Sequence, residues 1–86
     1  MAVDATEGVV LRDLLEYLAK SLVDTPDDVH VQATETDTTV VLELSVAKDD
    51  VGKVIGKQGR TARSIRTLLL AVGTKLNRRF SLEIVE

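Results

Sequence analysis

Hydrophobic residues recur every three or four positions in two segments, which is the spacing of a helix with one buried face. In residues 9–23 this stripe consists of Leu11, Leu14, Leu15, Leu18 and Leu22. In residues 61–77 it consists of Ile65, Leu68, Leu69, Val72 and Leu76. The pattern predicts two amphipathic helices that face a common core.

Three other segments, residues 29–35, 39–46 and 80–85, alternate apolar and polar residues, which is typical of strands covered on one face. The apolar phase comprises Val29, Val31, Ala33, Val40, Leu42, Leu44, Val46, Phe80, Leu82 and Ile84. A turn at residues 36–38 predicts an antiparallel hairpin between the first two strands. About thirty residues separate the second strand from the third, enough for a right-handed parallel crossover.

A short helix is predicted at about residues 49–55, with Asp49 and Asp50 near the positive end of its dipole. The element order is therefore α-β-β-α-α-β. This order predicts an α+β two-layer sandwich, in which three helices cover one face of a three-stranded mixed sheet. We expect a single domain of residues 9–86, preceded by a short tail of residues 1–8.

The net charge of −3 conceals an uneven distribution along the chain. Residues 1–47 contain ten acidic and two basic residues, whereas residues 48–80 contain nine basic and two acidic residues, a balance of +7. A polyanionic partner is compatible with the low overall charge, because the local field governs steering and contact. From charge alone, a second interpretation stays open, in which the basic residues only solubilise a helix surface.

Composition argues against several kinds of function. The absence of cysteine excludes disulfides, thiolate zinc sites and a cysteine nucleophile. The single histidine, His30, falls on the polar phase of its strand, so we predict a surface position and no catalytic residue, metal or cofactor. The longest strictly apolar run, residues 68–72, is too short to cross a bilayer, and no signal-peptide pattern opens the chain. We expect a cytoplasmic protein without membrane insertion.

Two glycines, Gly56 and Gly59, separate the last two predicted helices. A glycine after a helix is ordinary, because that residue often adopts a left-handed conformation, and this alone can explain Gly56. A second glycine before the next helix leaves backbone N–H groups uncovered where the helix dipole favours a phosphate. Lys57 and Gln58 then project outward. A lone GxxG is weak evidence, but between two amphipathic helices in a strongly basic segment it indicates binding of a nucleic-acid backbone.

The stretch VIGKQGRTARSI resembles the (I/V)IGxxG core of K-homology (KH) domains, and the element order resembles their type II arrangement. GKVIGKQGR followed by IRT is most similar to the small, single-domain bacterial KhpA family, over about residues 7–86. The resemblance implies binding of single-stranded RNA and a role as RNA chaperone or post-transcriptional regulator. It also implies a homodimer, or a heterodimer with a KhpB (Jag-type) protein, and a link to cell shape and cell wall biogenesis.

The resemblance further implies a groove that clamps about four nucleotides. Its far side should be the edge strand that starts at Phe80, with the connection of residues 77–79 over one end. The predicted RNA-binding residues are Val54, Ile55, Gly56, Lys57, Gln58, Gly59, Arg60, Arg63, Arg66, Arg78 and Arg79. Only Tyr17 and Phe80 are aromatic. We expect Tyr17 beside the leucine stripe, at the edge of the buried face of its helix, and Phe80 in the core, so a base-stacking platform is disfavoured.

One position departs from the family pattern, because Thr61 stands where an isoleucine is expected. Its hydroxyl can cap the helix, while the apolar lining of the groove or a dimer contact would be reduced. Leu70 falls among the arginines of its helix, outside the core stripe, and is a candidate for a protein contact.

Two other classes of function were weighed against RNA binding. The first is a protein–protein adaptor with a KH-like fold that has lost RNA binding, which would have no reason to keep Lys57 and Gln58 free of acidic neighbours. The second is an enzyme. It has the least support, because no Ser/His/Asp set can be completed and no Walker-type lysine follows the glycines.

Overall fold

The computed structural model describes residues 5–85, with side chains from residue 8 onward. The helices are α1 (Ala5–Leu22), α2 (Val51–Ile55) and α3 (Arg60–Leu76), and the strands are β1 (His30–Glu35), β2 (Thr39–Ser45) and β3 (Arg79–Val85). Short 3-10 turns occupy Pro26–Asp28, Lys48–Asp50 and Lys57–Gly59. The predicted order α-β-β-α-α-β is confirmed.

The three strands form one sheet in the order β1-β2-β3. β1 and β2 pair antiparallel, whereas β2 and β3 pair parallel, so the predicted hairpin and the predicted parallel pairing of the second and third strands are both confirmed. Leu42 at the centre of β2 lies opposite Ala33 on one side and Leu82 on the other. The hairpin closes where the Thr36 N–H donates to the Thr39 carbonyl at 2.8 Å. β3 is an edge strand, as predicted.

The core lies between one face of the sheet and the helices. Its buried residues include Leu15, Ala19, Val29, Val31, Val40, Leu42, Leu44, Val54, Leu69, Phe80 and Leu82. Among the described inward-facing positions of the predicted strands, Ala33, Val46 and Ile84 are partly exposed: Ala33 lies within the edge strand β1, Val46 follows β2, and Ile84 is near the end of β3. The two-residue period therefore identified the buried face of every strand.

The docking of α1 differs from the predicted leucine stripe. Its buried line passes through Leu15 and Ala19, while Leu14 and Leu22 are 43% and 42% exposed, so their assignment to the core was wrong. Arg12 donates from Nε to the Val31 carbonyl of β1 at 3.0 Å, which holds that side of α1 against the sheet. α1 also begins at Ala5, inside the predicted tail, and residues 1–4 lie outside the described residues.

α3 also docks through small residues. Ala62, Leu69 and Gly73 are its buried positions, and a β-carbon on Gly73 would lie 2.3 Å from the Arg78 carbonyl oxygen. Since only glycine allows this approach, α3 rests directly on the connection that leads into β3. Leu68, predicted in the core, is 46% exposed and lines an apolar cleft with Leu14 between α1 and α3.

The C-terminus of α3 is a Schellman motif. Asn77 adopts the left-handed conformation at φ 61°, and the N–H groups of Asn77 and Arg78 donate to the carbonyls of Thr74 and Gly73 at 3.4 and 2.9 Å. Asparagine tolerates this conformation better than most residues, because its short polar side chain bonds locally. The motif turns the chain into β3 within two residues.

Candidate nucleic-acid interface

Backbone geometry separates α2 from α3 at the GKQG loop, residues 56–59. Gly56 ends α2 with its N–H bonded to the Gly52 carbonyl at 2.9 Å, as expected of a helix-closing glycine. Gly56, Gln58 and Gly59 all have positive φ angles, of 81°, 58° and 74°. Consecutive left-handed residues cannot continue a right-handed helix, so the chain turns sharply and α3 begins at Arg60.

Glycine suits the two loop positions for different physical reasons. Gly56 combines φ 81° with ψ 167°, a region populated essentially by glycine, and a β-carbon there would lie 2.2 Å from the Thr61 hydroxyl oxygen. Gly59 has ordinary left-handed angles, and a β-carbon there would meet nothing within 4 Å. Packing thus requires glycine at Gly56, whereas at Gly59 it leaves open space above the backbone.

The backbone donors of the loop differ from those predicted. The Gly59 and Arg60 N–H groups bond to the carbonyls of Gly56 and Lys57 within the 3-10 turn, so the entry to α3 has fewer open donors than expected. Lys57 and Gln58 are the two exposed residues of this turn and lie between the glycines.

The expected cap from Thr61 is not formed. Gly59 is the N-cap residue of α3, and no side chain bonds there. The Thr61 side chain instead packs against Gly56 across the turn. The prediction of a threonine cap was therefore wrong, because the 3-10 turn places Thr61 inside the first turn of the helix.

Most of the predicted binding side chains are exposed, with one clear exception. Lys57, Gln58, Arg60, Arg63 and Arg66 are exposed and Ile55 is half-buried. Val54 is completely buried in the core and cannot touch a ligand. Its inclusion among the contact residues was wrong, since its place in α2 turns it towards the sheet, where it supports the loop from beneath.

α3 carries arginines along the free edge of β3. Arg66 donates from Nη2 to the Leu82 carbonyl at 3.5 Å, the long limit for such a bond, so the guanidinium can exchange it for an anion at little cost. Arg63 precedes it by three residues and shares that side of the helix. With Arg12 on Val31 at the opposite edge, arginines from helices blunt both edges of the sheet against pairing with other strands.

Arg78 and Arg79 lie at the other end of α3 from the GKQG loop. The 17 residues of α3 span about 25 Å at 1.5 Å per residue. Arg78 donates from Nη2 to the Thr36 carbonyl at 3.0 Å, which ties the hairpin turn to the start of β3, while Arg79 is exposed. The predicted basic residues therefore form two groups, one that extends from the GKQG loop along the first half of α3 and one beyond the C-terminal end of α3.

A buried carboxylate, which sequence reasoning missed, positions α2. Asp50 is only 2% exposed and accepts the N–H groups of Asp24 and Thr25 at 3.3 and 3.0 Å. Lys53, one turn along α2, contacts Asp50 and Asp24 at 3.1 Å each. The network joins the end of α1 to the start of α2. Its only signal in the sequence was the Asp50–Lys53 spacing of an i,i+3 ion pair.

The network also sets the protonation of its members. Burial alone would raise the pKa of Asp50, but the Thr25 N–H, Lys53 and the Asp24 N–H outweigh it and lower that pKa. Hydrogen bonds to Asp24 and then Asp50 raise the pKa of Lys53. Asp50 is thus a carboxylate and Lys53 an ammonium at neutral pH, which makes the network an ionic tie.

Basic residues on the two sides of the molecule differ in their pairing. Arg12, Lys20 and Lys53 form salt bridges with nearby acids. Between residues 5 and 85, no salt bridge involves the exposed cations of the loop and the adjoining face of α3, which are Lys57, Arg60, Arg63 and Arg66. This surface therefore presents uncompensated positive charge next to the open backbone at Gly59.

Two further properties hold within the described part of the chain. No group of three His, Asp or Glu side chains is arranged to hold a metal ion. No helix there has the length and apolar character needed to span a membrane. His30 is exposed on the open face of the sheet, as predicted.

Comparison with known proteins gives consistent matches. A family model for the KH domain of KhpA/KhpB matches residues 12–84. Proteins named RNA-binding protein KhpA from Chlamydia caviae and Listeria monocytogenes are 49% and 50% identical over 76 residues, which is 88% of this chain and 97% and 100% of theirs. The protein of that name from Clostridium acetobutylicum is 51% identical over 75 residues, 87% of this chain and 100% of its own.

The fold also recurs in part of a larger protein. An Aquifex aeolicus Era protein bound to GDP superposes with a TM-score of 0.59 at 20% identity, covering 98% of this chain and 32% of that one. Era in complex with a segment of 16S ribosomal RNA gives 0.55 at 18% identity, covering 87% of this chain and 30% of that one. The chain thus spans about a third of Era, and the likeness concerns the fold.

Proposed function

Since this chain belongs to the KhpA/KhpB family of KH-domain proteins, we propose that it binds single-stranded RNA through the GKQG loop. The observation that carries the proposal is the open space above Gly59, where packing does not require glycine. A missing side chain at an exposed, basic turn allows a phosphate to approach the backbone closely. The relatives named for RNA binding share about half of their residues with this chain, which supports the same ligand class here.

The proposed mechanism follows from the order in which protein groups contact the RNA strand. The N–H groups of Lys57 and Gln58 donate to one phosphate, and the exposed Lys57 side chain adds charge to it. Arg63 and Arg66 meet the following phosphates along α3. Bases then lie towards the edge of β3, where Arg66 can release the Leu82 carbonyl. This mode recognises the backbone first and base edges second, and it requires no aromatic platform.

A site of this size binds weakly on its own. With about three phosphate contacts, the logarithm of the affinity should fall with the logarithm of salt concentration at a slope of about −2. A homodimer, or a heterodimer with a KhpB-type protein, would add a second site and raise the effective affinity through tethering. The proposal extends to the cellular role of such a pair. It would act in the cytoplasm as an RNA chaperone or regulator linked to cell shape and wall biogenesis.

An adaptor function without RNA binding is the second candidate. Exposed apolar residues favour it, because Val10, Leu14 and Tyr17 line one side of α1 and Leu68 adjoins Leu14 on α3. A protein partner would cover such a face. The two candidates differ in whether the GKQG loop must stay basic and uncovered. Neither candidate function assigns a chemical reaction to any residue. That the protein is not an enzyme stays a prediction.

The decisive experiment reverses charge in the loop. In Lys57→Asp/Gln58→Asp, both residues are exposed and aspartate tolerates the left-handed angles of position 58, so circular dichroism and melting should not change. Retention of single-stranded RNA should be lost. Lys57→Asp alone has a matched control in Lys75→Asp, an exposed lysine in the last turn of α3, which should bind RNA nearly as well as the unmodified protein. Normal binding by the double variant would refute the proposed loop site and favour the adaptor.

A further inference from the structure

A very short helix carries the GKQG loop, and a buried ion pair holds the start of that helix. α2 has five residues, too few for a helix that is stable through its own hydrogen bonds. Asp50 accepts the N–H groups of Asp24 and Thr25 at 3.3 and 3.0 Å, and so joins α2 to the segment that follows α1. Lys53 contacts the carboxylates of Asp50 and Asp24 at 3.1 Å each. We propose that Asp50 and Lys53 are positioning residues for RNA binding, which act on the GKQG loop through α2; the inference rests on the proposed function.

The burial of Asp50 is not explained by stability alone. Asp50 is 2% exposed and is the only charged residue that is buried in the described part of the chain. Removing a carboxylate from water is unfavourable, and apolar side chains of similar volume often give a fold that is at least as stable. A buried ion pair does, however, require one particular geometry of its partners. It therefore fixes how two segments meet, and here one of these segments leads directly into the loop.

The rest of α2 transmits this position to the loop. Val54 is buried in the core beneath α2, and the Gly56 N–H closes the helix on the Gly52 carbonyl at 2.9 Å. The turn that follows is also closely packed, because the Thr61 hydroxyl fills the space beside Gly56. A shift of α2 at Asp50 therefore moves the loop relative to the arginines of α3. Successive phosphates of one strand then no longer meet both groups of donors at once, and the benefit of preorganisation is lost.

The charge of this network distinguishes positioning from attraction of RNA. Its two carboxylates and one ammonium, from Asp24, Asp50 and Lys53, carry a net charge of −1. A phosphate chain is repelled by such a group. Coulomb forces alone thus predict that loss of the Asp50 charge strengthens RNA binding. Loss of positioning predicts the opposite sign.

Asp50→Asn tests that sign. We would measure fluorescence anisotropy with labelled single-stranded RNA of about ten nucleotides and randomised sequence, at a temperature where melting curves show each variant fully folded. Asp50→Asn should weaken binding about fivefold, because the joint between α2 and the segment after α1 loosens. Asp49→Asn removes the same charge from an exposed neighbour and should bind RNA at least as well as the unmodified protein. Equal affinities of the two variants would overturn the proposal.

Lys53→Met gives a second test that keeps the carboxylate and its backbone donors. Its side chain is 41% exposed, so the fold should be retained even where Asp50→Asn unfolds. RNA binding should weaken about fivefold at every salt concentration, with an unchanged slope against salt. A decrease of about 0.7 in the magnitude of that slope would reveal a lost phosphate contact and overturn positioning. Lys53→Arg restores a cation within reach of both carboxylates and should recover most of the affinity. Lys48→Met, the same change at an exposed lysine of the preceding turn, should alter binding by less than about twofold.

Nuclear magnetic resonance supplies a measurement that a general loss of stability does not change. In Lys53→Met the backbone amide signals of Gly56 and Gly59 should shift, while the signal of Leu42 in the central strand should not. Weaker binding with unshifted loop signals would overturn the proposal. Normal binding by both Asp50→Asn and Lys53→Met would do the same and leave the loop site intact. Failure of the proposed function shows separately, as normal RNA binding by Lys57→Asp/Gln58→Asp.

Discussion

The Thr61 hydroxyl occupies the space into which a β-carbon on Gly56 would project, at 2.2 Å from the ideal carbon position. The Thr61 backbone nitrogen lies 2.8 Å from the same point. The turn between α2 and α3 is therefore closed on itself at Gly56. A few residues on, the same turn is open at Gly59, and this contrast gives two separable experiments.

Gly56→Ala should destabilise the fold by about 2–4 kcal/mol, because a positive φ angle and a steric overlap act together. Urea unfolding measures the change. Adding Thr61→Ala should recover only part of the loss, since the overlap with the backbone nitrogen remains. A Gly56→Ala variant as stable as the unmodified protein would contradict the packing described for this turn.

Gly59→Asn should leave the fold nearly intact and impair RNA binding. Asparagine tolerates left-handed angles and its β-carbon meets no atom, so the free energy of unfolding should fall by at most about 1 kcal/mol. The added side chain stands over the loop, and loss of one charge-assisted hydrogen bond should weaken RNA binding about tenfold. Unchanged affinity would show that the phosphate does not approach the backbone at Gly59.

Stability should decline on acidification through Asp50. Its pKa in the folded protein is below that in the unfolded chain, so the unfolded chain binds more protons as the pH falls. The stabilisation is complete above the unfolded value of about 4 and is lost as the pH falls through the lowered folded value. Thermal melting between pH 7 and pH 2 should show this decline.

Asp50→Asn isolates the contribution of that carboxylate. Asparagine offers one oxygen where the carboxylate accepts two backbone N–H groups, so the melting temperature at pH 7 should fall and its acid dependence should flatten. Asp49→Asn, an exposed neighbour, should change neither. An Asp50→Asn variant with the original acid profile would assign the pH dependence to other carboxylates.

Two helical glycines should respond to alanine in opposite directions. Gly73→Ala should cost about 1–2 kcal/mol, because overlap with the Arg78 carbonyl exceeds the gain in helix propensity. Gly52→Ala meets nothing within 4 Å and has no positive φ angle, so it should stabilise the protein by about 0.5–1 kcal/mol. Denaturant midpoints of the two variants on either side of the unmodified protein would confirm both; a shared direction would contradict one.

Strands could be predicted from sequence more accurately than helix faces. A two-residue period allows only two phases, and burial of the wrong one would place glutamates such as Glu43 and Glu83 in the core. A leucine-rich helix offers several adjacent stripes of equal hydrophobicity. Contacts as specific as Arg12 with the Val31 carbonyl then select the docked face of α1, which is why Leu14 was misassigned.

Part of the candidate site could also be predicted, because it depends on local sequence patterns. The GKQG loop follows from glycine spacing between helical patterns, and the exposure of Lys57 and Gln58 follows from their place in a turn. The buried role of Asp50 could not be predicted, because its partners Asp24 and Thr25 are about 25 residues away in the chain. Nor does spacing reveal that Arg79 lies a helix length from the loop.

The sequence by itself determined the order of elements, the directions of the strands and the place where basic residues surround a flexible turn. These properties depend on periodicity and backbone preference among neighbouring residues. Only the tertiary structure decided that Gly56 is required by packing and Gly59 is not, that Val54 is core, and that Asp50 joins α2 to the segment after α1. These depend on how closely separate segments approach, which is set by the shapes of side chains packed together.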